Sequence, residues 1–296
     1  MSVPGRFRHF LAIDWSGAAG QRQHGIAAAL CDAKGGPPRP VMPGHVWSRE
    51  EITSFLATSL PPDTLVGLDL GISLPLVDCG AFFPGWAATP PDAKSLWALV
   101  EDLCQTDPHL TCASFIDHPV LSRYFRRHGG REGDRFLLPE ADDRRGRFRV
   151  TEHVQAQQGC KPTSNFNLVG AAQVGKSSLT GMRVLHRLNR DIPVWPMDKV
   201  PPTGPVIVEI YTGLAAIEAG RSGARTKMRD YTSLNAALSA LGSPELPQSG
   251  AIHDHASDAL LGAAWLRNVA DQPCRWAPRK LTESIAKTEG WTFGAV

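Results

Sequence analysis

Little in this sequence is extreme, and each missing feature narrows the reading. Its 31 basic and 29 acidic side chains leave a formal charge of only +2, so no strong field selects a polyanionic partner, although nucleic acid is permitted. The six cysteines (Cys31, Cys79, Cys104, Cys112, Cys160 and Cys274) form no C-x-x-C pair, which argues against a zinc ribbon or a redox dithiol. Scattered, mostly buried thiols fit a reducing compartment. No apolar run approaches a membrane span, and the four apolar residues 10–13 behind Arg6, Arg8 and His9 are too few for the core of a secretory leader. A cytoplasmic protein is the expectation. What is present is ordinary: 296 residues, 42% hydrophobic and 20% charged, enough for one large domain or two small ones with a sizeable core.

The informative stretches are short apolar runs that end in acids. Residues 10–17 read F-L-A-I-D-W-S-G, a buried-strand pattern closed by Asp14 and a turn. Residues 24–31 give a second strand closed by the Gly35-Gly36-Pro37 turn, and residues 41–47 a third. Ser48 with Glu51 makes a capping box for a helix through Ile52, Phe55 and Leu56. Residues 64–71, T-L-V-G-L-D-L-G, give a fourth strand with Asp69 near its end, and residues 205–211 a fifth carrying Glu209. Helices are expected over 214–219, 231–241 and 254–269. In the last, Asp254 and Asp258 share a face near the amino end, with His255 between them. Ala259, Gly262, Ala263 and Leu266 make a small-residue stripe that lets that helix lie close to a sheet.

The middle of the chain, residues 79–203, is rich in Arg, Pro and Gly and reads as a large insertion. Within it, Asp92 caps a helix over 92–105, and a further helix is expected over 119–128. Between residues 123 and 149 stand nine arginines against five acids, interleaved with Tyr124, Phe125, Phe136 and Phe148. Arginine beside aromatics suits phosphate and base contacts, whereas a solvated loop with local ion pairs is the plainer alternative.

Acids at the ends of separate strands cannot converge without compensation. Two unit charges about 5 Å apart repel by roughly 3 kcal/mol at an effective dielectric near 20. Either some are protonated or a divalent cation neutralises them, and oxygen ligands without thiolate suit Mg2+ or Mn2+. The candidate metal-holding residues are Asp14, Asp69, Glu209, Asp258 and Asp254. Asp254 serves equally well as a plain helix cap.

The order of three strands, helix, strand, then strand and final helix resembles the ribonuclease H-like fold. The acids Asp14, Asp69 and Asp258 fall where that superfamily carries its acids. The H-x-x-D-A-L from His255 is similar to the last-helix motif of Holliday-junction resolvases. D-W-S-G at Asp14, V-E-I-Y at Glu209, D-H-A-S-D-A-L at Asp254 and E-G-W-T-F-G at Glu289 resemble the family known as domain of unknown function 429, over residues 7–78 and 204–294. The resemblance implies an α/β fold, a mixed five-stranded sheet flanked by helices, with its core in residues 1–78 and 204–296. It also implies a divalent-metal-dependent nuclease that cleaves phosphodiester bonds by a two-metal mechanism. Asp14 would bridge the ions, Asp258 would hold one, and Glu209 or Asp69 the other. His255 would position water or move a proton. Lys176, Lys227, Arg144 and Arg145 are the candidate cations for a nucleic acid or nucleotide substrate.

Three other readings stand beside it. Residues 170–177 match the P-loop pattern G-x-x-x-x-G-K-S, which requires a buried strand before it and a helix after it. Residues 165–169 make a mediocre strand, and Ser177, Ser178, Thr180 and Gly181 are poor helix formers. A-I-D-W-S-G and G-L-D-L-G are similar to the phosphate loops of actin-like phosphotransferases, but only one set of acid-tipped strands is present. A catalytically silent metal-binding module is the third.

Overall fold

The computed structural model describes residues 5–141, 145–170, 173–222 and 226–296. The chain is α/β, with one six-stranded mixed sheet flanked by helices. The strands are β1 (His9–Asp14), β2 (Ala27–Asp32), β3 (Gly35–Pro40), β4 (Thr64–Asp69), β5 (Val194–Trp195) and β6 (Val206–Glu209). Across the sheet their order is β3-β2-β1-β4-β6-β5. β1 to β3 form an antiparallel meander, while β1, β4, β6 and β5 run parallel. The helices are α1 (Arg49–Thr58), α2 (Ala93–Leu103), α3 (Ala113–Asp117), α4 (Val150–Gln157), α5 (Val174–Leu188), α6 (Thr212–Glu218), α7 (Tyr231–Ala240), α8 (Asp254–Val269), α9 (Pro273–Trp276) and α10 (Glu283–Thr288).

Alternation along each strand divides the core in two. Leu11, Ile13, Val66, Leu68 and Ile207 face a layer built from α1, α2 and α5. Phe10, Ala12, Leu65, Val206 and Val208 face α6, α7 and α8. The segment read as an insertion thus supplies α2 and α5, which cover one face, and also the sixth strand, β5. The expectation of five strands missed β5 because two residues leave no period to read.

Several local expectations hold. Ser48 and Glu51 close both legs of the capping box, Asp92 caps α2, and α8 spans 254–269 as expected. The third strand is misplaced: β3 runs over residues 35–40, where the sequence suggests a turn. Gly35 and Gly36 take positive φ after the turn at Ala33-Lys34, and Pro37, Pro38 and Pro40 are tolerated because β3 is an edge strand. The helix expected over 119–128 reduces to a single 3-10 turn, Leu121–Tyr124.

The small-residue stripe on α8 does what its composition suggests. A Cβ built on Gly262 would stand 2.9 Å from the Ala12 Cβ, and one on Gly67 would stand 2.8 Å from Leu266 Cδ1. Backbone approach this close seats the amino end of α8 over the carboxyl ends of β1 and β4. Gly262→Val is expected to lever the helix off β1 and cost about 1–3 kcal/mol in urea denaturation. An unchanged midpoint would mean that this contact does not set the position of α8.

Candidate active site at the strand ends

Register decides which acids meet. Asp14 and Asp69 are direct partners across the parallel pair β1 and β4, so their side chains leave the sheet on the same side. That side is the one covered by α8, whose second turn brings Asp258 to them. Glu209 pairs with Leu68 rather than Asp69. The offset of one residue turns its side chain to the opposite face.

Each of the three aspartates has a partner. His255 Nδ1 lies 2.6 Å from Asp14 Oδ2. Thr212 Oγ1 donates to Asp69 Oδ2 at 2.6 Å. The Lys227 ammonium, on a half-exposed side chain, donates to Asp258 Oδ2. Burial pushes all three carboxyls up, and neighbouring carboxylate charge adds to it, from Asp14 at Asp69 and Asp258 and from Asp254 at Asp14. Asp69 rises to about 8, through burial and then the Asp14 charge, against the Thr212 hydrogen bond. Asp258 rises to about 6, through burial and against Lys227. Asp14 also moves up by burial, although His255 opposes it, and His255 is raised in turn by its hydrogen bond to Asp14. Among the described residues no three His, Cys, Asp or Glu side chains are already drawn together as a metal-holding group. The donor chemistry nevertheless fits a hard cation: three carboxylates and no thiol. Lys227 supplies positive charge at Asp258 in this arrangement.

The acids lie in a cavity of about 380 Å3. Its walls include Ser177 at the start of α5, Thr163 and Asn165, Tyr211, and Lys227. Two glycines let these walls close in. A Cβ on Gly17 would stand 2.4 Å from the Lys176 carbonyl carbon, and one on Gly71 would stand 2.4 Å from Asn165 Nδ2. The buried Arg49 guanidinium fixes the turn after Asp14, donating to Ser16 O at 2.9 Å and to Ala18 O at 2.5 Å.

The remaining candidates lie elsewhere or are otherwise engaged. Glu209 reaches the cavity wall, but both its oxygens are committed. Oε1 accepts from Arg149 and Thr292, and Oε2 from Arg149 and the Ile72 N–H, at 2.5–2.9 Å. Asp254 is the first residue of α8, behind His253 as N-cap, and stands 3.8 Å from Arg229. Lys176 is not among the lining residues described; its charge acts on Cys112. Arg145 lies over the Phe148 ring at 5.3 Å, and Arg144 falls outside the described residues.

The arginine-rich stretch divides: exposed local ion pairs at Arg123, Arg126 and Arg127 match the solvated-loop reading, while Arg147 and Arg149 are buried. Arg147 is buried, bidentate on Asp78 and bonded to three backbone carbonyls. Arg149 is buried between Glu152 and Glu209. Arg123 pairs with Asp134, Arg127 with Asp117, and Arg135 bonds Pro84 O. Arg147 and Arg149 tie the middle of the chain to residues 75–82, to β6 and to the carboxyl-terminal segment, while the exposed Arg123–Asp134 and Arg127–Asp117 pairs are local.

The P-loop pattern lacks its strand. Asn167 makes only an isolated bridge to Arg126, and Ala171 and Ala172 fall outside the described residues. Its helix is present as α5, held by burial despite weak propensity. Sequence reasoning missed Thr212, which directly follows the V-E-I-Y motif, and the Arg149–Glu152 pair, whose spacing of three was the available signal. No helix among the described residues is long and apolar enough to cross a membrane. No family model, curated protein or solved structure matches the chain.

Proposed function

We propose that this chain is a divalent-metal-dependent hydrolase of phosphodiester bonds, a nuclease in the broad sense, on a ribonuclease H-like fold. One observation carries the reading: Asp14 and Asp69 stand in register on adjacent parallel strands, facing the helix turn that bears Asp258. The element order β1-β2-β3-α1-β4, followed later by β6 and α8, agrees with the resemblance drawn from sequence. Asp14, Asp69 and Asp258 would hold Mg2+ or Mn2+. When bound, such ions acidify a water and neutralise charge on the leaving oxygen.

The protein's own groups have separable tasks. Thr212 fixes the rotamer of Asp69, and His255 fixes that of Asp14 while remaining half-exposed at the mouth, where it can accept or return a proton. The Lys227 side chain is half-exposed while its ammonium pairs with Asp258, so it can leave Asp258 for an incoming phosphate oxygen. Glu209 sits outside this set, as a buried anchor for Arg149.

The test is hydrolysis of bis(p-nitrophenyl) phosphate, with single- and double-stranded DNA and RNA in parallel. Turnover is expected with Mn2+ or Mg2+ and none in EDTA. Metal-independent turnover would contradict the reading. Stabilisation by Mn2+ without turnover of any of these substrates would indicate the silent module instead.

A further inference from the structure

A second cavity, of about 530 Å3, lies on the other side of His255. Its apolar lining comes from Ile26, Val41, Met42, Trp47, Ala256 and Leu260, between the start of β2, the loop after β3 and the first turns of α8. Just beyond β3 the Val41 N–H donates to Ala28 O at the start of β2, and the groove opens where this edge strand stops. Met42 is 54% exposed and takes a positive φ of 53°, holding a thioether out at the groove's rim. Imidazoles of His24, His45 and His253 border the apolar floor, with the His45 ring edge-on to Trp47 at 4.9 Å.

His255 lines both cavities, and the wall between them is thin. Gly25 lies against it: a Cβ there would stand 3.0 Å from Ser16 Cβ and 3.5 Å from His255 Cε1. A molecule seated on the acids and longer than a phosphate would have to pass His255 to reach a slot that is apolar within and polar at its edges. A flat ring with hydrogen-bonding edges matches that lining. Arg147 and Arg149, in the arginine-rich stretch, are buried on internal carboxylates and offer no track for a polymer backbone.

We infer that the groove receives the nucleoside of a small, mononucleotide-sized phosphate ester whose phosphate sits over Asp14, Asp69 and Asp258. This rests on the hydrolase reading for the phosphate end only. The ring end is tested without turnover, by isothermal titration of thymidine 5′-monophosphate and of inorganic phosphate, with and without Mn2+. The nucleotide is expected to bind about tenfold tighter than phosphate, as ring stacking supplies. Ala256→Trp, which fills the groove from α8, should bring the nucleotide down to the affinity of phosphate and leave phosphate unchanged. Met42→Glu, at an exposed position, provides the same test if the first variant folds poorly. Equal binding of nucleotide and phosphate by the wild type, a preference that survives both substitutions, or displacement of the nucleotide by a short DNA duplex at lower concentration would overturn the inference. Hydrolysis of bis(p-nitrophenyl) phosphate keeps the two claims apart. Turnover without nucleotide preference removes the groove alone, and preference without turnover removes the hydrolase alone.

Discussion

Arg149→Met is expected to destabilise the protein by about 3–5 kcal/mol, the range for removing one partner from a buried ion pair. Burial pulls the Arg149 guanidinium down, but Glu152 and Glu209 together hold it above its ordinary value. The same guanidinium donates to the Glu289 carbonyl at 3.0 Å. The Glu289 carboxylate in turn accepts from the N–H groups of Leu76, Val77 and Val150. One side chain therefore joins the end of β6, the start of α4 and the carboxyl-terminal segment. Methionine fills similar volume but leaves two carboxylates without a counter-charge. Glu152, which burial already raises to about 7 against the pull of Arg149, would take up a proton. Urea denaturation reads the loss. Adding Glu209→Gln to Arg149→Met should recover part of it, because the second change removes one of the stranded charges. A loss below about 1 kcal/mol would mean that this cluster is not what holds the three segments together.

Asp14→Asn and Asp258→Asn are each expected to reduce metal-dependent hydrolysis about a thousandfold, or about 4 kcal/mol of barrier. An amide keeps the shape and hydrogen bonding of the carboxylate but not its charge. Neither variant should be less stable than the wild type, because both carboxyls are raised by burial and are therefore strained as anions. Glu209→Gln separates the two faces of the sheet. It should lose stability through Arg149 while activity per folded molecule persists. If Glu209→Gln lost activity as completely as Asp14→Asn, the one-residue register offset would not divide structural from catalytic acids.

That offset is the part of the site that composition and pattern could not supply. Acid-tipped strands are visible as apolar runs ending in Asp or Glu, and Asp14, Asp69 and Glu209 look alike at that level. Only the pairing of Leu68 with Glu209 sends the third acid to the other face. Local signals with short-range causes were legible: the Ser48–Glu51 capping box, the Asp92 cap and the full span of α8. Features with long-range causes were not. α5 is weak in propensity at Ser177, Ser178, Thr180 and Gly181, yet Gly181 packs on Leu70 and Thr180 accepts from the Trp15 indole. Arg147 reads as a surface cation until Asp78 and the carbonyls of Pro75, Ala81 and Phe82 close around it, some seventy residues away in sequence. β3 is hidden by prolines that only an edge strand accepts.

The central claim, that Asp14, Asp69 and Asp258 share a cation at one rim of the sheet, is tested most directly by unfolding free energy against pH, with and without Mn2+. Asp69 has an ordinary value of 3.8 and rises to about 8 when folded. Between those values the folded chain holds a proton that the unfolded chain releases, so stability falls as pH rises from about 4 to about 8. Saturating Mn2+ should oppose that fall, adding about 2.7 kcal/mol at a hundred times its Kd, and should do so in neither Asp14→Asn nor Asp258→Asn. Wild-type stability indifferent to Mn2+ at pH 8, or an equal gain in the two variants, would contradict the claim.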